Sequence, residues 1–324
     1  MRLQHIMGGV LLALSTAVTP TLAADWPQNR PVRVLVGYAA GGPTDTQARV
    51  IADALSNEIG TSVIVENMPG GSGTIAVRNL ISSEPDGHTL LYTIDGPLTQ
   101  LPHTMKNLGY DPLNDVVPVT RASLGGSVLL VHSSIPANDL KSFIEWAKQN
   151  RGKLSYASYG VGTLAHIYGA VLNDMFDLDM SHVPYKGSAD AMRDLVSGRV
   201  QLMFDAPATS LAFVEKGQLK RLASTGDTRR PLIPDLPTMK EQGVEGFELR
   251  SFNGFYAPKG ISPGIVEKIN AAIQNATRSK RVQDVWKIQG FEHIYETPAD
   301  FARAYRAAYD QWGKYLRDLG IAID

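Results

Sequence analysis

The stretch from Val32 to Leu55, VRVLVGYAAGGPTDTQARVIADAL, joins an apolar run to a glycine-rich turn and then to a helical pattern. The run VRVLV has the β-branched composition of a strand, and the glycines of GYAAGG allow a tight turn directly after it. In the segment that follows, apolar residues recur three or four positions apart, as on one face of a helix. Strand, turn and helix in this order predict one unit of an α/β fold with a largely parallel sheet.

The same alternation continues along the chain. Predicted strands cover residues 32–36, 62–65, 89–92, 128–131, 154–157 and 201–204, and predicted helices cover 46–59, 75–82, 140–150, 163–175 and 189–197. Later the pattern becomes helical, over 263–277, 281–289 and 298–319, which predicts a helical tail packed on a domain. Asp139 and Thr297 stand where helix N-caps are expected, because their side chains can accept hydrogen bonds from the first turn.

The N-terminus has the composition of a secretory signal peptide. Arg2 precedes an apolar run over residues 6–18, and Thr21 and Ala23 are small residues at the two positions that signal peptidase recognises. The run is too short to span a bilayer. We therefore predict a signal peptide over residues 1–23 and export of the mature chain.

The composition limits the classes of partner. The chain of 324 residues has a formal net charge of -1 and no basic runs, which argues against nucleic acid or an anionic membrane surface. It contains no cysteine, so the exported product is expected to have neither disulfides nor a lipid anchor on an N-terminal cysteine. This length predicts one large or two medium domains.

Three glycine-rich loops each follow a strand and open a helix: GYAAGGPTD, NMPGGSGTIA and SYASYGVGTLAH. Ligands of open α/β sheets bind at the carboxyl ends of the strands, where such loops lie. A helix N-terminus offers unpaired N–H groups and a partial positive charge, so these loops can hold a carboxylate although they contain no Arg or Lys. Ordinary tight turns are the alternative for each loop taken alone.

Two of the loops, at residues 71–76 and 160–165, also fit the GxGxxG/A pattern of dinucleotide sites. Asp95 and Asp179 lie at roughly the spacing at which an acidic residue would bind a ribose. However, Met68 and Pro69 lengthen the first turn, and exported proteins rarely meet nicotinamide cofactors. A carboxylate site is therefore the favoured interpretation.

Catalytic and metal-binding motifs are missing from the sequence. It has no G-x-S-x-G elbow, no Walker A loop, no HExxH motif and no metal-ligand spacing among its histidines, so we predict neither catalysis nor a metal or cofactor. His166 is of interest because it falls in the first turn of the helix after the third loop. Asp205 ends the strand VQLMFD at the same edge as the loops, while Asp45 can cap its own helix or contact a ligand.

Aromatic residues lie near the same edge. Tyr38 and Tyr159 stand inside two of the glycine loops, where they can form the walls of a pocket or belong to the core. In SFNGFYAPKG, residues 251–260, a strand that crosses between two lobes would bring Phe252 and Asn253 close to a cleft. Rings at these positions can stack on a flat ligand.

The segments RPVRVLVGYAAGGPTDTQARVIADAL, VIVENMPGGSGTIA, EPDGHTLLY, GKLSYASYGVGTLAH, HVPYKGSADAMRDLVSGRVQLMFD and FYAPKGISPGIVEKIN occur in this order along the chain. Together they resemble the Bug family, the extracytoplasmic solute-binding proteins of tripartite tricarboxylate transporters. The resemblance extends over nearly the whole chain after the signal peptide. It is therefore more specific than any single loop.

The resemblance implies a two-lobed periplasmic binding protein of the type II arrangement, an α/β fold in which a cleft separates two domains joined by two hinge strands. Mapped onto this chain, residues 24–124 and 250–324 form the first domain and residues 125–249 the second. The hinge strands fall near residues 120–129 and 249–257. The implied protein is a periplasmic monomer without a cofactor, whose partners are a small carboxylate and the membrane subunits of a transporter.

Carried over position by position, the resemblance implies a binding site built from two facing loops and the crossover. Its candidate residues are Tyr38, Ala40, Gly41, Gly42, Thr44, Asp45, Ser158, Tyr159, Gly162, Thr163, His166, Asp205, Phe252 and Asn253. Where this chain has Tyr38, the family commonly has Phe. Where it has Tyr159 and Val161, the family often has Ser or Asn, and after the serine of the crossover the family commonly has Trp. Because these departures lie toward the far end of a ligand, an aliphatic di- or tricarboxylate and an aromatic carboxylate such as a benzene dicarboxylate both stay open.

The predicted function is capture of a carboxylate by hinge closure and its delivery to a membrane transporter. Two alternatives stay open. One is an exported hydrolase or lyase that uses Asp205 or Ser158 with His166, which would require nucleophile and base within hydrogen-bond reach. The other is a ligand-sensing subunit of a signalling receptor.

Overall fold

A computed structural model describes residues 26–319 of the chain. The predicted signal peptide over residues 1–23 lies outside these described residues. Among the helices of residues 26–319, none is both long enough and apolar enough to cross a membrane.

The described residues form two β-sheets. In chain order the strands are β1 (Val32–Val36), β2 (Val63–Asn67), β3 (Thr89–Ile94), β4 (Val116–Leu124), β5 (Val128–His132), β6 (Ser155–Ser158), β7 (Ser181–Pro184), β8 (Leu202–Asp205), β9 (Leu219–Ser224), β10 (Phe252–Pro258) and β11 (Glu292–His293). The first sheet has the order β11-β4-β10-β3-β1-β2, and the second has the order β7-β6-β8-β5-β9. The chain therefore leaves the first sheet after β4, builds the second, and returns with β10. The predicted domain boundaries after residues 124 and 249 follow this path and stay a prediction.

Both sheets contain parallel and antiparallel pairs. β1 lies parallel between β2 and β3, and β6 lies parallel between β7 and β8. β10 runs antiparallel between β3 and β4, and β5 runs antiparallel between β8 and β9. The prediction of a largely parallel sheet is thus correct for the strands that end at the glycine loops. It is wrong beside the crossing points, because a chain that re-enters a sheet from the other lobe returns in the opposite direction.

β4 and β10 carry the chain between the two lobes. The predicted hinge segments, residues 120–129 and 249–257, contain the end of β4 and most of β10. After β4, Gly125 and Gly126 lead to β5, and the N–H of Gly125 donates to the carbonyl of Ser251 at 2.8 Å. The two crossing segments are therefore hydrogen-bonded to each other where they leave the first sheet.

Helices pack against both sheets. They are α1 (Pro43–Ile59), α2 (Thr74–Ile81), α3 (Gly96–Thr99), α4 (Leu101–Thr104), α5 (Leu140–Gln149), α6 (Leu164–Phe176), α7 (Ser188–Val196), α8 (Leu211–Glu215), α9 (Pro263–Thr277), α10 (Lys280–Gln289) and α11 (Pro298–Leu319). α1 begins earlier than predicted, because Gly42 is extended and Pro43 fits the first helical position. The predicted caps are confirmed: Asp139 forms a capping box, and Thr297 accepts the N–H of Asp300 at 3.1 Å.

The C-terminal helix α11 contacts both lobes. Its first half packs on the first sheet, where Phe301 and Tyr305 lie against Tyr256 of β10. Its second half belongs to the core of the second lobe, where Trp312 lies beside Tyr168. The predicted packing of the tail on a domain is confirmed for the first lobe, and the end of α11 also reaches the core of the second lobe.

Candidate functional site

The first glycine loop connects β1 to α1 and is held by Asp45. The carboxylate of Asp45 accepts hydrogen bonds from the N–H of Gly41 at 2.9 Å, from Asn67 at 2.8 Å and from Arg49 at 3.1 Å. Burial raises the pKa of Asp45, but these hydrogen bonds, led by that of Arg49, outweigh burial and hold the pKa below its usual range. Asn67 also donates to the carbonyl of Tyr38 at 3.1 Å. The loop is therefore fixed by an ionised carboxylate.

This geometry ties Asp45 to its own loop, and the ligand contact predicted for it stays a prediction. Its side chain is buried and engaged within the loop, and it does not line the cavity between the lobes. Ala40 and Gly41 are exposed and likewise do not line this cavity, because the loop turns outward there. The residues of the loop that do face the cavity are Tyr38, Ala39, Gly42, Pro43 and Thr44.

The third glycine loop of the sequence connects β6 to α6 in the second lobe, and two histidines hold it. The hydroxyl of Ser158 lies 2.7 Å from Nε2 of His182, and the N–H of Gly160 donates to the same hydroxyl at 3.2 Å. Nδ1 of His166 accepts the N–H of Gly162 at 3.0 Å. The two imidazole rings stack with their centroids 3.7 Å apart. A pair of histidines from α6 and β7 thus takes the place that a carboxylate has in the first loop.

Burial keeps both imidazoles uncharged at neutral pH. It lowers the pKa of His166 to about 3, with a smaller contribution from His182, and it lowers the pKa of His182 to about 4. The alternative pairing of Ser158 with His166 is not formed, because the buried hydroxyl of Ser158 meets His182 instead. His166, Gly162 and Thr163 form hydrogen bonds within the loop and do not line the cavity, so their predicted contact with a ligand stays a prediction.

Asp205 stands at the end of β8 and lines the cavity between the lobes. The hydroxyl of Ser188, at the start of α7, donates to its carboxylate, and the N–H of Ala206 donates to it at 2.8 Å. Its partner is thus Ser188 rather than the predicted His166. Burial raises the pKa of Asp205 to about 6 despite these hydrogen bonds. Near neutral pH the group therefore exchanges between an anion and a hydrogen-bond donor.

β10 brings Asn253 to the cavity and turns Phe252 away from it. Asn253 lines the cavity, and its Oδ1 accepts the hydroxyl of Thr44 at 3.4 Å. Phe252 packs against Phe301 in the core of the first lobe, with the guanidinium of Arg121 over its ring. Successive side chains of a strand point to opposite faces, so only one of the two residues can face the cleft. The structure therefore places Phe252 in the core, and the ligand contact predicted for it stays a prediction.

The smaller of the two cavities between the lobes has a volume of about 50 Å³, and the other, which is more open, has about 930 Å³. The smaller cavity is lined by Tyr38, Ala39, Gly42, Pro43, Thr44, Ile94, Gly125, Gly126, Ser127, Tyr159, Leu164, Ser188, Asp205, Ala206, Ser251, Asn253 and Phe291. None of these described lining residues carries a positive charge. Sequence reasoning missed Ser127, Ser188 and Phe291. Ser188 follows the glycine of YKGSAD and opens a helix, so the pattern used for the other loops would have found it.

The two lobes touch beside this cavity. The hydroxyl of Ser72 donates to the carbonyl of Val161 at 2.7 Å, and a Cβ on Gly160 would lie 2.6 Å from the same hydroxyl. The rings of Tyr38 and Tyr159 meet edge to face with centroids 6.1 Å apart. The lobes are therefore closed. The two loops that match the dinucleotide pattern form part of the contact between them.

The sequence can be placed among known proteins. It matches the family model described as "Tripartite tricarboxylate transporter family receptor" over residues 47–321. The chain belongs to the Bug family of these receptors. Protein BugT of Bordetella pertussis is 30% identical over 321 residues, which cover 97% of this chain and 97% of BugT. The family assignment made from the sequence segments is confirmed.

Solved structures of Bug proteins and their relatives have the same fold. The periplasmic binding protein BugD shares 32% sequence identity with a TM-score of 0.85, over 90% of this chain and 98% of BugD. R. palustris Rpa4515 with adipate shares 32% with a TM-score of 0.87, over 92% and 99%. MatC (Rpa3494) from Rhodopseudomonas palustris with bound malate shares 29% with a TM-score of 0.83, over 88% and 98%. The two-lobed solute-binding fold predicted for this Bug protein is confirmed.

Proposed function

We propose that this Bug protein captures a small carboxylate between its lobes in the periplasm and delivers it to a tripartite tricarboxylate-type membrane transporter. The observation that carries the proposal is the cavity between the lobes that is lined by the start of α1, by Asp205 and by Ser188 at the start of α7. The structures of relatives with adipate and with malate support a carboxylate as the ligand. The predicted signal peptide supports the periplasm as the compartment.

The start of α1 can hold one carboxylate without a cationic side chain. Helix geometry leaves the N–H groups of Gly42 and Thr44 without a carbonyl partner inside the helix, and the helix dipole adds partial positive charge there. The hydroxyl of Thr44 lies on the same side, next to Asn253. Across the cavity, the protonated form of Asp205 supplies a hydrogen-bond donor, while the hydroxyl of Ser188 is engaged with that carboxylate. A carboxylate and a second polar group of a short ligand can thus be bound from the two lobes.

The aromatic lining favours an aliphatic ligand over a flat ring. Tyr38 and Tyr159 meet at an interplanar angle of 85°, so they do not form a parallel slot in which a benzene ring can stack on both. Phe252, the third ring expected at the site, lies in the core. We therefore propose a short aliphatic dicarboxylate first, and an aromatic dicarboxylate is a separate arm of the test.

Capture requires the lobes to move. Ligand pockets are typically about 300 to 1,000 Å³, and the closed cavity is far smaller than this range. Rotation about the crossing segments opens the cleft, the carboxylate binds to one lobe, and the other lobe closes over it. The closed surface, which joins both lobes, is then available to the membrane subunits.

The test is a ligand panel on the purified mature protein. Malate, adipate, citrate and terephthalate are compared by thermal unfolding and calorimetry, with adipamide as the uncharged control. A true ligand raises the unfolding free energy by about 2.7 kcal/mol at one hundred times its dissociation constant. Mass spectrometry of the recovered ligand should show it unchanged, whereas a converted ligand would indicate an enzyme. Absence of any shift or heat across a broad carboxylate panel would contradict the proposal.

A further inference from the structure

A buried arginine lies against the hinge, directly behind the cavity wall. Gly125 and Gly126 line the cavity on one side of the first crossing segment. On the other side, the side chain of Arg230 is 4% exposed, and a Cβ on Gly126 would lie 1.4 Å from its Nη2. Among the described residues this Nη2 has no hydrogen-bond partner. Gly126 thus lines the cavity and also lies against the guanidinium, which brings the buried charge close to the cavity.

The charge of Arg230 is only partly balanced. Its nearest acid is Glu292 of β11, at 3.7 Å from Nη1, and the side chain of Glu292 is 51% exposed. The same carboxylate binds Arg250 more closely, at 2.7 Å, while Arg250 also donates to the carbonyl of Gly125 at 3.2 Å. Burial, together with Arg250, lowers the pKa of Arg230 to about 10, so it stays protonated at neutral pH. Two cations thus share one half-exposed anion at the hinge.

A buried cation with too little counter-charge is unfavourable unless another anion approaches it. No described residue that lines the smaller cavity carries a positive charge. The one carboxylate among them, that of Asp205, stands at the end of β8 and not on the crossing segment. A ligand carboxylate in the closed cavity would lie within the low-dielectric region that Arg230 faces through Gly126. Coulomb attraction in such a region is much stronger than in water.

We propose that Arg230 is the specificity residue that makes closure of this protein selective for anions, acting through the hinge backbone without touching the ligand. The inference rests on the proposed function, because it assumes that a carboxylate occupies the cavity. Arg230 follows β9 in the second lobe, and Glu292 belongs to the first lobe. The positive charge that Glu292 leaves unbalanced therefore lies where the two lobes meet. A carboxylate between the lobes neutralises that charge and stabilises the closed arrangement.

The experiment compares two neighbouring ion pairs in the full mature chain. Arg230→Met and Arg230→Lys are measured by calorimetry with adipate or malate, whichever the wild-type protein binds more tightly. Arg230→Met should bind about tenfold more weakly, and Arg230→Lys should bind nearly as well as wild type because the charge is retained. The matched control is Arg229→Met, which removes an exposed charge paired with Glu241 at 2.9 Å and should leave the affinity within about twofold.

A second pair of variants tests whether binding becomes tighter when the counter-charge of Arg230 is removed. It does not depend on removing a buried side chain. Glu292→Gln deletes the shared counter-charge and should tighten binding about threefold, whereas Glu241→Gln should not. Equal affinity of wild type and Arg230→Met, or weaker binding by Glu292→Gln, would overturn the role of Arg230 and leave the proposed function standing. If wild type binds neither adipate nor malate nor another carboxylate of the panel, the proposed function and this inference both fail.

Discussion

The two glycine loops that face each other across the cleft have the same shape and opposite chemistry. Each leads from a strand to a helix and presents the start of that helix to the other lobe. The first is held by an ionised Asp45 with Arg49 and Asn67, and the second by the neutral, stacked pair His166 and His182. A loop at the cleft can therefore be held either by an ionised side chain or by buried side chains that stay uncharged. The two solutions should respond differently to mutation and to pH.

The largest effect is expected where the charged network is removed. Asp45→Ala leaves the N–H of Gly41 and the amide of Asn67 without their acceptor, and should lower the free energy of unfolding by about 3 kcal/mol. Urea denaturation measures the loss. Asp53→Ala is the control on the same helix, because Asp53 forms an exposed pair with Arg281 that is worth less than about 1 kcal/mol. Equal losses for the two variants would show that Asp45 does not hold the loop.

The glycine loop of the second lobe is tested through its contact with the first lobe. Gly162 has a φ of +73°, and a Cβ there would lie 2.4 Å from Cδ2 of Leu101. Gly162→Val should therefore hinder closure and weaken carboxylate binding about a hundredfold, which corresponds to about 2.7 kcal/mol. Gly217→Val is the matched control, because Gly217 has a φ of +67° with open space around it. Backbone strain is thus similar in both variants, and only the first is expected to lose affinity in calorimetry.

The pH response should separate the two loops. The folded pKa of His166 is lowered to about 3 from 6.5, so its contribution to stability is complete above pH 6.5 and is lost progressively as the pH falls toward 3. The difference in unfolding free energy between wild type and His166→Gln should therefore shrink by roughly 2 kcal/mol from pH 7 to pH 5. The pKa of Asp45 is held below 3.8, so the difference between wild type and Asp45→Ala should persist until the pH falls below 3.8. Coincident pH profiles for the two variants would contradict the comparison.

The sequence predicted the loops and their neighbours better than the side chains behind them. β1 was predicted at its observed bounds, and Asp139 and Thr297 were predicted as caps, because these signals are local. The partner of Ser158 was missed because His182 lies 24 residues away on a different strand. Short polar strands were missed as well: β9 carries Lys220 and Arg221, whose side chains reach loop carbonyls that no periodicity reveals.

The placement of Phe252 shows a different limit. The pattern indicated correctly that residues 251–260 form a crossing strand, but a strand has two faces, and the sequence does not say which one meets the cleft. Register in the sheet decides this, and it depends on pairing with β3 and β4. For the same reason, Asn253 reached the cavity while its neighbour entered the core.

The smallest expected effect concerns the one carboxyl side chain among the described residues that line the smaller cavity. Burial raises the pKa of Asp205 to about 6, so it is protonated and able to donate to a ligand carboxylate below that pH, and it becomes an anion that repels the carboxylate above it. Because the pKa of Asp205 is raised in the folded protein, the hydrogen bond that its protonated form donates to the ligand is present at acid pH. It is lost as the pH rises through 6. Affinity for adipate or malate should therefore fall about tenfold from pH 5.5 to pH 7.5. Asp205→Asn, which cannot ionise, should keep nearly the same affinity across this range in calorimetry. The residues of the first loop that face the cavity include no carboxyl group, so a wild-type affinity that does not change with pH would place recognition on that loop alone.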